Sequence, residues 1–272
     1  MSQERVSVEV ADHVATVTLV RADKHNALDA AMFEALVAAA VRLRTASGVR
    51  AVVLHGQGKS FCSGLDVASF MAGPLSMDQL LAREDGAVGN LAQRVALEWA
   101  SVPVPVIAAL HGSCFGGGLQ IALGADVRIA APDAQLSVME ITWGLVPDMG
   151  ITQTLPRLVG IDRAKELTFT GRRVDGTAAH ALGLVTSLAA DPLAAARSLA
   201  AEIAMRSPDA IRAAKALYDR TWSGMAPTEA LALETELQLG LMGSANQVAA
   251  VTAAMTGQPG LFVDPEVPAQ AR

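Results

Sequence analysis

HGSCFGGGLQIALGAD, residues 111–126, sets three consecutive glycines, Gly116 to Gly118, at the start of what reads as an apolar helix. Glycine costs roughly 0.5 to 1 kcal/mol against alanine inside a helix, so bare backbone must be needed there. Two residues on stands Gln120, an amide on the first helical turn, where a side chain would point at whatever the glycines approach. The run at 104–110 is apolar throughout, which suits a strand covered on both faces, and it feeds directly into the glycines. The order is strand, turn, helix, which makes an α/β layer architecture the first expectation.

The same order occurs earlier. RAVVLHG at 50–56 is a second buried-strand run, and the Gly/Ser-rich loop after it holds FCSGLD at 61–66. If the two strands are sheet neighbours, their turns share one edge and their backbone N–H groups can converge on a small volume. Glycines let a ligand come close, and a helix N-terminus adds the positive end of its dipole. Such a pair of donors is what an oxyanion requires, each worth on the order of 3 kcal/mol of barrier. The third element is EITWGLVPDMG at 140–150, where Glu140 and Asp148 stand eight residues apart amid Ile141, Trp143, Leu145, Val146 and Met149. An apolar setting raises a carboxyl pKa and makes the carboxylate a better base near neutral pH. With an oxyanion hole beside it, that describes proton transfer at the carbon next to a carbonyl; two solvated loop acids are the plain alternative.

Outward from these motifs, 6–20 reads as a β-hairpin around Ala11-Asp12-His13 and 30–46 as a helix capped by Asp29. A polar helical segment is expected over 78–100, short strands at 126–130 and 135–138, and helices at 162–170, 176–182, 192–205, 208–222 and 228–242. Strands alternate with helices to about residue 160, and helices dominate afterwards. The division is therefore a core over 1–190 and a helical region over 191–272.

Composition narrows the classes. The chain has 272 residues, 51% hydrophobic and only 18% charged, which excludes disorder. A net charge of -6 without a long basic run argues against nucleic acid and against a polybasic membrane patch. No apolar run approaches the roughly 20 residues that span a bilayer, and the N-terminus carries no secretion signal, so a cytoplasmic protein is expected. Cys62 and Cys114 have neither zinc nor disulfide spacing, and the histidines at 13, 25, 55, 111 and 180 lack metal-ligand spacing, so no metal site is expected. Gly58-Lys59-Ser60 imitates the end of a phosphate loop, but Val53 stands where that motif needs glycine.

In this order FCSGLDV, PVIAALHGSCFGGGLQIALGADVRIA, LSVMEITWGLVPDMG and LTFTGRRVDGTAAHALGLV strongly resemble the enoyl-CoA hydratase/isomerase (crotonase) family. The resemblance runs from about residue 6 to 185 and more weakly through the C-terminal helices. It implies a crotonase-like spiral of ββα units and an acyl-CoA thioester substrate, with coenzyme A part of the substrate and no separate cofactor. It also implies a homotrimer or homohexamer, with 191–272 serving oligomerisation and pocket cover.

Carried over by position, the resemblance puts the oxyanion donors on the backbone N–H groups of Leu65, just after Gly64, and of Gly117. It puts one hydratase glutamate on Gln120 and the other on Glu140, so one of the two hydratase acids is missing. The family's dienoyl-CoA isomerases resemble this chain in pairing Glu140 with an aspartate at Asp148, although they too carry an acid at the Gln120 position. RADKHNAL at 21–28 resembles the segment beside the coenzyme, which makes Lys24 a candidate there. Ser63, Asp66 and Val67, together with Gly64 and Gly116, match positions that line the substrate, while Asp126 and His111 are expected to hold the fold. The family's basic C-terminal tail is not recognisable in MTGQPGLFVDP at 255–265. The acyl pocket wall is expected from 68–100 and the C-terminal helices.

Gln can hold a water but cannot exchange a proton with it. The expectation is therefore double-bond isomerisation, with Glu140 as main base, Asp148 as second proton-transfer group and Gln120 in the catalytic set. The alternatives are 2-enoyl-CoA hydration, acyl-CoA binding without catalysis, and thioester hydrolysis or decarboxylation.

Overall fold

The structure, a computed structural model, describes residues 4–72, 76–83, 85–222 and 224–265. The hairpin forms as expected: β1 (Val6–Ala11) and β2 (Val14–Leu19) pair antiparallel, and Asp12 and His13 turn the chain with positive φ. There follow β3 (Ala51–Gly56), β4 (Val106–Leu110), β5 (Ser113–Phe115), β6 (Val127–Ala130), β7 (Gln135–Ser137), β8 (Val174–Asp175) and β9 (Ser187–Leu188). The larger sheet has the order β1-β2-β3-β4-β6-β9, parallel from β2 onward, and the smaller has the order β5-β7-β8. The chain lays β4 in the large sheet, β5 in the small one and then a helix, and repeats the step with β6 and β7. That is the expected spiral of ββα turns.

The helices are α1 (Ala30–Arg44), α2 (Val67–Ala72), α3 (Met77–Leu81), α4 (Leu91–Ala100), α5 (Gly117–Leu123), α6 (Leu155–Val159), α7 (Ile161–Thr170), α8 (Gly176–Ala181), α9 (Pro192–Ala204), α10 (Pro208–Thr221), α11 (Pro227–Leu241) and α12 (Ala245–Thr256). Asp29 caps α1 through Met32 N–H at 2.9 Å. The single helix expected over 78–100 is wrong: α3 and α4 are separate, each opened by its own capping box, Ser76 with Gln79 and Asn90 with Gln93. Within that wall segment, 73–75 and 84 lie outside the described residues. The sequence reading also missed β5, β8, β9, α2, α6 and α12.

The continuous apolar runs in β3 and β4 are explained by cover on both faces. Val52, Leu54, Val106 and Ala108 join the main core with α1, α4 and α5, while Val53, Ile107 and Ala109 face Ala196 and Ala200 of α9. Two ionic ties bind the C-terminal region to this core. Lys215 of α10 reaches Asp126 at 2.7 Å and the Val104 carbonyl at 3.2 Å, and Asp126 also accepts from Val106 N–H. Arg50 holds the Asp264 carboxylate at 2.6 Å and the carbonyls of Phe262 and Ala204. Asp126 and His111, whose Nε2 bonds the Gly58 carbonyl at 3.0 Å, thus hold the fold as expected. Among the described residues no helix is long and apolar enough to cross a membrane.

Candidate functional site

β3 and β4 are parallel neighbours, with Val52 opposite Val106 and His55 opposite Ala109, so their C-terminal turns do share one edge. A backbone zipper sets the turns side by side. Phe61 N–H donates to His111 O, Cys62 N–H to Ser113 O and Phe115 N–H to Cys62 O, at 2.9 to 3.0 Å. The two cysteines face each other across this bridge as buried, unlinked thiols, and burial pushes Cys62 up to about 12, which makes it inert packing.

Leu28 then aims Leu65. Its N–H bonds Gly64 O at 2.8 Å and its carbonyl takes Asp66 N–H at 2.9 Å, the pattern of a parallel bridge to Leu65. In such a bridge the central residue's own N–H points the other way. Gly64 has φ +92°, and a Cβ on it would lie 2.9 Å from Phe115 O and 3.8 Å from Gly117 N, which shows how closely the turns approach. Among the described residues neither Leu65 N–H nor Gly117 N–H has a partner, and Gly117 opens α5. Both expected donors are therefore unspent and adjacent.

The three glycines do different things. Gly116 takes φ +51° and ψ -121° and brings the chain to within 3.3 Å, measured from a Cβ, of Glu140 Oε1. A Cβ on Gly117 would collide with Met149 and Leu28, and one on Gly118 would lie 2.5 Å from Cys62 O. Gly118 thus serves packing of helix on loop, which the sequence reading had credited to ligand access.

Glu140 begins a short 3-10 turn, Glu140–Trp143, three residues beyond β7, and β7 is laid against β5 by Ser113–Gln135 and Phe115–Ser137 pairing. Glu140 and Gln120 meet: Gln120 Nε2 donates to Glu140 Oε1 at 2.6 Å, while Gln120 Oε1 accepts Met149 N–H at 2.9 Å. Gln120 is only 1% exposed. Its amide is buried and engaged at both ends by the protein, an arrangement in which the expected water is replaced by Glu140 and Met149. Glu140 Oε2 is buried and, among the described residues, without a partner.

Burial pushes the Glu140 carboxyl above its ordinary range, as does the charge of Asp148, against the hydrogen bonds from its own N–H and from Gln120. Asp148 is also raised by partial desolvation, against its own N–H. The apolar wall expected around the two acids is mostly absent: Ile141, Trp143, Leu145 and Val146 are exposed, and only Met149, 6% exposed, turns inward.

Other expected positions divide. Ser63 lies beside the 3-10 turn Ala22–Lys24, its Oγ 3.4 Å from Lys24 O, and the Lys24 side chain is exposed at the same rim. Asp66 and Val67 offer no donor, since their N–H groups go to Leu28 O and Leu65 O. The Asp66 carboxylate pairs with Arg21 at 2.7 Å and Ser69 at 2.6 Å. Burial opposes its charge, but these hydrogen bonds outweigh burial and hold it at about 2. Arg21 also reaches Asp29 at 3.5 Å and Ala27 O at 2.9 Å. Arg21 and Leu28 are supports that the sequence did not mark; both lie in RADKHNAL beside Lys24. A cavity of about 730 Å³ opens at the other end of α5, lined by Leu97, Leu123, Arg128, Arg157, Lys215 and Trp222 among others, away from these groups.

Comparison with known proteins agrees with this geometry. The enoyl-CoA hydratase/isomerase family model matches residues 9–255. The Bacillus subtilis protein YngF, named for enoyl-CoA hydratase/isomerase, is 39% identical over 233 residues, 85% of this chain and 83% of its own. The mitochondrial Delta(3,5)-Delta(2,4)-dienoyl-CoA isomerase of Rattus norvegicus is 37% identical over 223 residues, 78% of this chain and 68% of its own. The crystal structure of enoyl-CoA hydratase from Bacillus anthracis superposes with a TM-score of 0.86 at 29% identity, covering 95% of this chain and 98% of that one. With the family model matching most of its length and a relative 39% identical over 85% of it, the chain belongs to the enoyl-CoA hydratase/isomerase family and is an enzyme of that family.

Proposed function

We propose that the protein takes acyl-CoA thioesters and moves a carbon–carbon double bond. The Glu140 carboxylate removes a proton from the carbon next to the thioester carbonyl of a 3-enoyl chain. The electron pair passes to the carbonyl oxygen, which receives the N–H groups of Leu65 and Gly117. Return of a proton at the far end of the delocalised system, from Glu140 or Asp148, gives the 2-enoyl product, and no cofactor enters beyond the coenzyme carried by the substrate. The observation that carries this reading is the amide of Gln120. It is spent on Glu140 and Met149, which leaves Glu140 and Asp148 as the proton carriers at the site.

Hydration of a 2-enoyl chain is the second reading, favoured by the exposure of Asp148, where a water can be activated. Incubation with 3-enoyl-, 3,5-dienoyl- and 2-enoyl-CoA, followed by mass spectrometry, separates the two. Isomerised product supports the first reading. Fast hydration abolished by Asp148→Asn replaces it with the second, turnover untouched by Glu140→Gln defeats both, and free CoA identifies thioester hydrolysis. Lys24 is assigned to the coenzyme's phosphates or pantetheine. The 255–265 stretch is pinned by Arg50 and Asn246 and brings no basic tail to that task. Exposed apolar side chains on the last helices, Tyr218, Leu231, Leu239 and Met255, support a homotrimer or homohexamer, which light scattering tests.

A further inference from the structure

We propose that Gln120 is a positioning residue that makes the two oxygens of Glu140 inequivalent, holding Oε1 by a hydrogen bond and leaving Oε2 without one. The inference rests on Glu140 being the base of the reaction proposed above. Gln120 is fixed from behind: the Met149 N–H can only donate, so it takes the amide oxygen and turns Nε2 onto Glu140. Oε1 receives that N–H at 2.6 Å and is held, while Oε2 is buried and, among the described residues, without a partner. The same amide ties the backbone next to Asp148, so one side chain sets the spacing of both acids. Neither bond is local: 20 residues separate Gln120 from Glu140 and 29 separate it from Met149.

The amide's neutrality is part of the device. In Gln120→Glu a carboxylate oxygen replaces Nε2 at 2.6 Å from Glu140 Oε1, where two ionised oxygens repel and the pair must share a proton. The protonated pair reproduces the arrangement, with an O–H donating to Glu140 and the other oxygen accepting from Met149; the doubly ionised pair does not. Gln120→Leu removes the donor at every pH.

The test uses deuterium uptake at the α-carbon of a saturated acyl-CoA in D2O, which requires the base but no double-bond shift, together with ¹³C NMR titration of Glu140. For Gln120→Leu the expected result is uptake slower by about 10²-fold through kcat with KM little changed. Its acid limb and the Glu140 titration both move to higher pH, because the lost hydrogen bond favoured the ionised form. For Gln120→Glu, uptake approaches that of the parent protein at the acid end and falls as the shared proton is lost. Circular dichroism establishes that both variants fold. Should the Glu140 titration and pH profile stay where they are in folded Gln120→Leu, the positioning role is overturned. Titration that moves in a protein that exchanges no α-proton retains the clamp and removes the proposed function instead.

Discussion

The two halves of the proposed site are built on different principles. The donor half, Leu65 and Gly117, is fixed by backbone hydrogen bonds from residues 28, 61 to 66 and 111 to 116, with no side chain in the chemistry. The base half hangs Glu140 from a 3-10 turn and steadies it by one amide, beside a strip in which Trp143 is 68% and Val146 73% exposed. The donor half should therefore tolerate altered side chains so long as no Cβ intrudes. The base half should depend on individual side-chain groups.

The largest effect is expected at the base. Glu140→Gln keeps an acceptor for Gln120 and removes the proton carrier, so kcat/KM should fall by about 10⁴-fold, the upper range for a general base. The carboxyl is raised in the fold, so the folded state binds its proton more tightly than the unfolded chain does. Its stability contribution is full below the unfolded value near 4.3 and is lost as pH rises through the folded one. The variant should accordingly unfold no earlier than the parent protein at pH 8, by differential scanning calorimetry. In the parent protein the same raised pKa should place the acid limb of kcat above the ordinary carboxylate range. A limb at or below that range would contradict the desolvated base.

Next comes the donor half. Gly117→Ala puts a Cβ 2.8 Å from Met149 Sδ and 2.9 Å from Leu28 Cδ1, the residue that aims Leu65. The substitution keeps the N–H but pushes it out of place; a donor fully displaced costs about 10² to 10³ in kcat, and overpacking a further 1 to 3 kcal/mol of stability. Stopped-flow turnover and urea unfolding on one sample separate the two. A folded variant with unchanged kcat would mean that Met149 and Leu28 yield to the added Cβ and leave the N–H in place.

How much of this the sequence carried follows the same division. The donor half was legible because each turn is marked locally, by an apolar strand run that ends in glycines, so that only the pairing of β3 with β4 had to be supposed to bring the two turns together. Glu140 and Asp148 were legible as two acids in the apolar stretch EITWGLVPDMG, with two solvated loop acids as the alternative, and the resemblance then supplied their roles. The orientation of the Gln120 amide was not legible, since it depends on Met149 N–H, far along the chain. The apolar wall of 141–146 was misread because composition cannot say which face of an irregular segment turns inward. β5 was lost inside the glycine-rich motif, and α12 lacks a strong polar face. The break before α4 did have a signal, the Asn90 and Gln93 capping box, which was passed over.

A smaller effect tests the support beneath Leu65. Asp66→Asn keeps the shape but breaks the charge pairing with Arg21, itself 9% exposed, and should cost about 1 to 3 kcal/mol. Asp66 is depressed to about 2, so its contribution is present above the unfolded value near 3.9 and is lost as pH falls through 2. Urea midpoints should differ at pH 7 and converge near pH 2. A difference that persists in acid would assign the loss to packing and not to charge.

The smallest effect belongs to the strip beside the base. Val146 and Met149 stand three residues apart in one irregular segment, yet Met149 covers Gly117 with its sulfur while Val146 faces outward. Met149→Ala opens a cavity against Leu28 and the start of α5 and should cost about 2 to 5 kcal/mol, whereas Val146→Ala should stay within about 0.5 kcal/mol. Equal costs would mean that the strip is packed in the working protein, by a neighbouring subunit or a bound acyl chain. Repeating the unfolding across a hundredfold range of protein concentration distinguishes these, because a subunit contact makes the Val146 effect concentration-dependent and a ligand contact does not.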